Sequence, residues 1–182
     1  MSDTDGGSAT NIFALTVSDG AGVGTFSNTT ALVIPTSGPA VPYPSTITVS
    51  GMVGTITKVT VALNGVSHTY PDDIDALLVG PGGQNTLLMS DAGGGPDLLG
   101  INLVFDDSAS NLLPDETQIA AGTYKPTNYG TGDLFPSPAP AAVGSYTSAL
   151  STFVGLSPNG IWSLFINDDS RGDQGSISGG WS

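Results

Sequence analysis

The chain contains no cysteine, and only Lys58, Lys125 and Arg171 carry permanent positive charge. Without cysteine there is no disulfide, no zinc–thiolate centre and no thiol chemistry. Three bases cannot form a patch that contacts nucleic-acid phosphates, and they give no attraction to an anionic membrane. Glutamate is almost missing as well: Glu116 is the one Glu among 16 acids, and the rest are Asp. No apolar run approaches the roughly 20 residues that span a bilayer as a helix. Helix-forming runs are scarce. The opening Met1-Ser2-Asp3-Thr4-Asp5 is polar and acidic and does not read as a secretory leader. A leader removed earlier, an excised piece and a different export signal are all compatible with it.

What the chain does have is turn formers and apolar residues. Gly 26 and Pro 13 in 182 residues mark many turns, and 38% hydrophobic residues supply a core for one domain. Short apolar segments between these turns predict an all-β fold, a β-sandwich of jelly-roll type. Two stretches anchor it. Pro71-Asp72-Asp73 runs into an apolar strand, Ile74 to Val79, which Gly80-Pro81-Gly82-Gly83 stops. Near the end, a strand with Trp162, Leu164 and Ile166 in alternation runs into an aspartate-rich loop, then a glycine-rich turn.

Between these anchors the pattern predicts strands at 31–34, 47–49, 56–63, 85–89, 101–105, 150–153 and 161–166. Val59, Val61 and Leu63 face inward, and Asn64-Gly65 signals a hairpin. Residues 85–89 pair back on Ile74 to Val79. Val41-Pro42-Tyr43-Pro44 is extended, a helical turn fits within 111–122, and residues 127–144 form a long loop that is functional or pinned by ligands. Ahead of these, Asn11 to Val17 alternates, with Phe13, Leu15 and Val17 on one face, and Ser18-Asp19-Gly20-Ala21-Gly22 ends it. The domain reading is an N-terminal arm over 1–42 and the sandwich over 43–182.

Net charge is −13 and the aspartates gather in loops. Three groups flank strands: Asp72, Asp73 and Asp75; Asp106 and Asp107; Asp168, Asp169 and Asp173. The hairpin partner of Ile74 to Val79 returns Asp91 toward the first group. Calcium takes six to eight oxygens from carboxylates, carbonyls and water, and adjacent aspartates in glycine-rich loops offer both. Asp also favours turns for local reasons, and none of these loops fits an EF-hand. Paired carboxylates can run glycoside hydrolysis, but that requires one acid in a dry setting, and these lie in loops. His68, the one histidine, has no G-x-S-x-G elbow to serve and reads as structural. Arg171-Gly172-Asp173 spells an integrin-binding tripeptide; Asp173 reads better as a ligand or turn residue. Tyr43, Tyr124, Tyr129 and Tyr146 with Trp181 could stack on a sugar, whereas Trp162 alternates as core.

Several of these motifs together resemble the P domain (Homo B) of subtilisin-like proprotein convertases, especially the bacterial secreted type. The resemblance rests on Val59-x-Val61-x-Leu63, His68 followed by Asp73-Ile74, Leu78-Val79-Gly80-Pro81-x-Gly83 and Leu87-Leu88. It continues with Leu150-x-x-Phe153-x-Gly155, Asn159-Gly160-x-Trp162-x-Leu164, Asp168-Asp169, Asp173-x-Gly175 and Gly180-Trp181-Ser182. It covers about residues 43–182. It implies a non-catalytic jelly-roll sandwich, often calcium-binding, that accompanies a protease domain. Carried over, it places calcium ligands at Asp73, Asp75, Asp91, Asp106 and Asp107, with Asp168 and Asp173 as a second set.

Two departures shape the functional expectation. This chain has no subtilisin catalytic domain, and the family's last strand continues past the tryptophan where this sequence ends at Ser182. A sandwich short of a strand exposes edges, which natural proteins avoid. Phe13, Leu15 and Val17 have the alternation to fill such a slot, in their own copy or in a neighbour's. The expectation is a non-catalytic extracellular calcium-binding module, structural and self-assembling head to tail by strand exchange, as in a filament or surface layer. Its setting is extracellular or on a bacterial cell surface. An accessory domain of a secreted subtilisin-like protease and a carbohydrate-binding module are the alternatives.

Overall fold

The computed structural model describes residues 22–141 and 145–182. Two mixed sheets pack face to face as an all-β sandwich. The first sheet runs in the order β1 (Leu32–Ile34), β11 (Gly175–Ile177), β4 (Val61–His68), β7 (Leu98–Phe105), β8 (Gly122–Tyr124). The second runs β2 (Gly38–Pro39), β10 (Gly160–Asp168), β5 (Ile74–Val79), β6 (Asn85–Ser90), β9 (Thr127–Asn128), with β3 (Ser45–Val49) also pairing the free side of β10. Most pairs are antiparallel; β7–β8 and β6–β9 are parallel. Among the described residues no helix is long and apolar enough to cross a membrane.

The core lies between the sheets. Leu63, Val66, Leu103 and Phe105 come from the first, and Ile74, Leu78, Leu88, Trp162, Leu164 and Ile166 from the second. Period-two alternation puts these residues inside, and the same alternation turns Leu77 and Phe165 outward. That outer face is covered too. Phe135 and Tyr146, from the segment after β9, pack on Leu77, Leu87 and Phe165 and close a second apolar cluster. Two buried faces explain why β5 and β10 read as nearly continuous apolar runs.

Several expectations from sequence are corrected. Asn64-Gly65 is not a hairpin turn: β4 runs through it with a bulge, and Gly65 takes φ +69. Asn102 Oδ1 accepts the Gly65 N–H at 2.8 Å, so the extra residue is held inside the sheet. The strand therefore begins at Val61 and ends at His68, not at Leu63. Leu150–Phe153 is a 3-10 turn, not a strand, because Asp107 caps its first backbone amides. Residues 111–121 hold no helix, and the glycine-rich stretch after Asp173 becomes β11. The peptide bonds before Pro42 and Pro44 are cis. The expected boundary at Tyr43 does not divide the described residues, since β1 pairs with β11 and β2 with β10. Phe13, Leu15 and Val17 lie outside the described residues.

Candidate metal centre

The candidate centre sits on the outer face of the second sheet, at the end where β5 begins. A bulge builds it. Ala76 pairs with Met89 but Leu77 pairs with Leu87, so β6 carries one extra residue. Leu88 and Met89 both turn into the core, and the alternation restarts with Ser90 on the outer face, beside Asp75. Asp91 follows at φ 49, the one positive-φ residue other than glycine among those described; aspartate tolerates that region better than most side chains. The chain then returns at β9, parallel to β6, and delivers Asp133. Asn128 holds that return: its Nδ2 donates to Asp133 Oδ2 at 2.9 Å, and its Oδ1 accepts the Gly130 N–H at 3.0 Å. Gly130 has to be small, because a Cβ there would run into the Asp91 carboxylate.

Asp75, Asp91 and Asp133 each present a carboxylate oxygen, all within 4.8 Å of one another. Calcium–oxygen bonds of roughly 2.3–2.6 Å place opposite ligands about 4.6–5.2 Å apart, so the three oxygens fit one coordination sphere. Ser90 Oγ stands among them, 2.6 Å from Asp75 Oδ1, 2.8 Å from Asp133 Oδ1 and 3.1 Å from Asp91 Oδ2. A hydroxyl has one proton and can serve one of these acceptors. The other two contacts are oxygen against oxygen and require a cation or a bound proton. Asp75 is buried, and its Oδ2 has no hydrogen-bond partner; neither has buried Oδ1 of Asn167, the residue paired with Asp75 across β10. Each orphaned group costs about 1–3 kcal/mol. The donors are all oxygen, the set a hard divalent cation takes.

The electrostatics agree with that geometry. Burial, with the charges of Asp169, Asp133 and Asp91, pushes the Asp75 carboxyl up to about 8, against the pull of the Ser90 hydroxyl. Burial also raises Asp169, with Asp91, Asp168, Asp133 and Asp72 adding repulsion. Asp72 is raised by burial and then by Asp91 and Asp115, while the Gly94 amide opposes.

The expected aspartates fall into three places. Asp75 and Asp91 belong to the centre, and Asp72 and Asp169 contribute to its field. Asp73, Asp168 and Asp173 gather beside it with His68. Burial and then Asp168, Asp169, Asp173 and Asp72 push Asp73 up to about 6. Asp168 Oδ2 lies 3.3 Å from His68 Nε2, and Asp173 accepts the Thr69 hydroxyl at 2.8 Å. His68 is buried, with Nδ1 2.8 Å from the Tyr70 carbonyl, which suits the structural role read from sequence.

Asp106 and Asp107 are elsewhere. They follow β7 at the Val61 end of β4, whereas the acidic loops lie at its His68 end, about 23 Å along an eight-residue strand. Asp106 pairs with Lys58 at 2.8 Å and caps Ser108, and the Lys58 hydrogen bond holds its carboxyl down at about 2. Asp107 accepts the Leu150 and Ser151 amides. Both carboxylates are engaged in holding loops.

Asp133 went unnoticed in the sequence. It is a lone acid in a Gly-Thr-Gly-Asp run, without the neighbouring Asp that marked the other groups; the length of its loop was the available signal. The tyrosines are tied down as well. The hydroxyls of Tyr43, Tyr124, Tyr129 and Tyr146 donate to the carbonyls of Pro136, Ala120, Leu113 and Pro140. Trp162 packs edge-on against Phe153 in the core, and Trp181 Nε1 donates to Ser45 Oγ at 2.9 Å. No family model, no curated protein and no solved structure matches the chain.

Proposed function

We propose that this chain is a non-catalytic structural module whose sandwich is stiffened by calcium bound at Asp75, Asp91 and Asp133. The observation that carries the reading is the Ser90 hydroxyl, with its single proton, standing against three carboxylates, one of which has an orphaned buried oxygen. The ion would neutralise that cluster and pin the segment that supplies Asp133 to the outer face of the second sheet. The likeness to the convertase P domain, read from the motifs above, supports the same conclusion. The carboxylates lie at one end of the sandwich and an apolar groove, beside Leu78 and Trp162, at the other. A substrate seated in that groove would not meet the acids. Calcium sites of extracellular modules work at roughly 10⁻⁴–10⁻³ M, concentrations found outside cells, so we place the module there.

Calcium titration followed by thermal unfolding tests this. At a hundred-fold excess over Kd, a ligand that binds only the folded state stabilises it by about 2.7 kcal/mol. For a domain of this size that raises Tm by roughly 5–10 °C. The rise should disappear in Asp75→Asn and Asp133→Asn. No change in Tm up to about 10-fold above the extracellular range given above would defeat the proposal.

A further inference from the structure

A cavity of about 420 Å³ among the described residues is an apolar groove that begins beside Ser182. Trp181 and Asn28 exchange both backbone hydrogen bonds, and Ser182 and Ala62 do the same on the other side. Residues 181–182 are thus a strand stub between two walls, 22–28 and 57–63. Past Ser182 the walls continue with no described residue between them. The backbones of Lys58 and Thr60 carry no hydrogen bond among the described residues, and Phe26, Val49, Met52, Ile56, Val59 and Trp162 line the course.

We propose that this groove is a strand-acceptor site filled by residues 13–17 of the same chain, folded back through a turn at Asp19-Gly20. The strand register fits this occupant. Asp-Gly between alternating segments is the strongest short hairpin signal. A two-residue turn there sets Val17 opposite Gly22, Leu15 opposite Gly24 and Phe13 opposite Phe26. The stub sets Trp181 opposite Asn28 and Ser182 opposite Ser27, so the next place is opposite Phe26. Phe13 falls there, directly after Ser182 in the sheet. On the other wall Trp181 pairs with Leu63, which puts Phe13 beside Val61 and Leu15 beside Val59.

The facing also agrees. Trp181 is buried, so every second place along the same course points inward, and those places are Phe13, Leu15 and Val17. A Cβ on Gly24 would run into the Phe26 ring and Met52, and one on Gly22 would touch Met52, so the wall carries no side chain of its own opposite Leu15 and Val17. The turn keeps the donor tethered beside its own groove, which gives it a high effective concentration over a second copy.

Engineered cysteines in the full chain test this cleanly, since the chain has none of its own. Leu15 and Val59 would form a non-hydrogen-bonded antiparallel pair, with Cα atoms about 4.5 Å apart, within disulfide range. L15C/V59C oxidised in calcium should give one cross-linked monomer on a non-reducing gel, and T16C/V59C, facing the other way, should not cross-link. A ladder of cross-linked multimers would overturn the proposal in favour of strand exchange between copies. Two unreacted thiols would overturn it as well. A second comparison does not depend on oxidation: L15D should lower Tm by several degrees while T16D leaves it near wild type. Equal effects of the two would refute the inward facing.

Discussion

At the scale of single residues, the candidate centre depends on one hydroxyl and one glycine. Ser90 touches three carboxylates, and Gly130 leaves the space that the Asp91 carboxylate occupies. Gly130→Ala would put a Cβ into that carboxylate and displace it. The expected outcome is a protein that folds but loses most of its calcium-dependent rise in Tm, with calcium affinity reduced at least tenfold by isothermal titration. An unchanged affinity would show that Asp91 is not a ligand. At this scale local chain direction makes one pairing of aspartates legible and leaves another hidden. Asp75 and Asp91 were legible because a hairpin brings one strand's start beside the next strand's end. Asp133 was not, because its partner is a parallel strand pairing, β6 with β9, that no local pattern encodes.

At the scale of elements, bulges and caps decide what alternation alone cannot. The β5–β6 hairpin was readable from Gly80-Pro81-Gly82-Gly83 and its flanking apolar runs. The bulge that turns Ser90 outward was hidden, because Leu87-Leu88-Met89 is apolar on either face. Asn64-Gly65 misled for a related reason: a turn-forming pair serves a bulge equally well when the strand continues beyond it. Leu150–Phe153, a short segment with apolar ends, satisfied a strand and a 3-10 turn alike; Asp107 on another loop settles it. Removing that cap with Asp107→Ala should cost about 1 kcal/mol. The loss should be the same in calcium and in chelator, measured by chemical denaturation. A loss confined to calcium would return Asp107 to the ligand set.

For the whole molecule, the charge distribution predicts how stability follows pH. Asp73 and Asp75 have folded-state values raised to about 6 and about 8, chiefly by burial. Their unfolded values lie near about 3.9. The folded state therefore holds more protons, and without calcium its stability falls as pH rises through that window. Chelated protein should have a higher Tm near pH 5 than near pH 8.5, and saturating calcium should flatten or reverse the slope. A Tm that climbs steadily from pH 5 to pH 8.5 in chelator would contradict the raised values. The Asp106–Lys58 pair acts in the opposite direction: its stabilisation is present above the unfolded value and is lost as pH falls toward about 2. The all-β sandwich itself was legible from turn density and alternation. The two covered faces of β5 and β10 were not, because a continuous apolar run does not say what lies on its far side.

The bonded pair of Asn28 and Trp181 has a consequence for protein architecture. The two flanks of the sandwich meet at one point of its surface, a single strand spacing apart. A unit with neighbouring entry and exit can be spliced into a surface loop of a host without prising that loop open. Carried in such a loop, the sandwich would leave the host's own fold to continue around it uninterrupted.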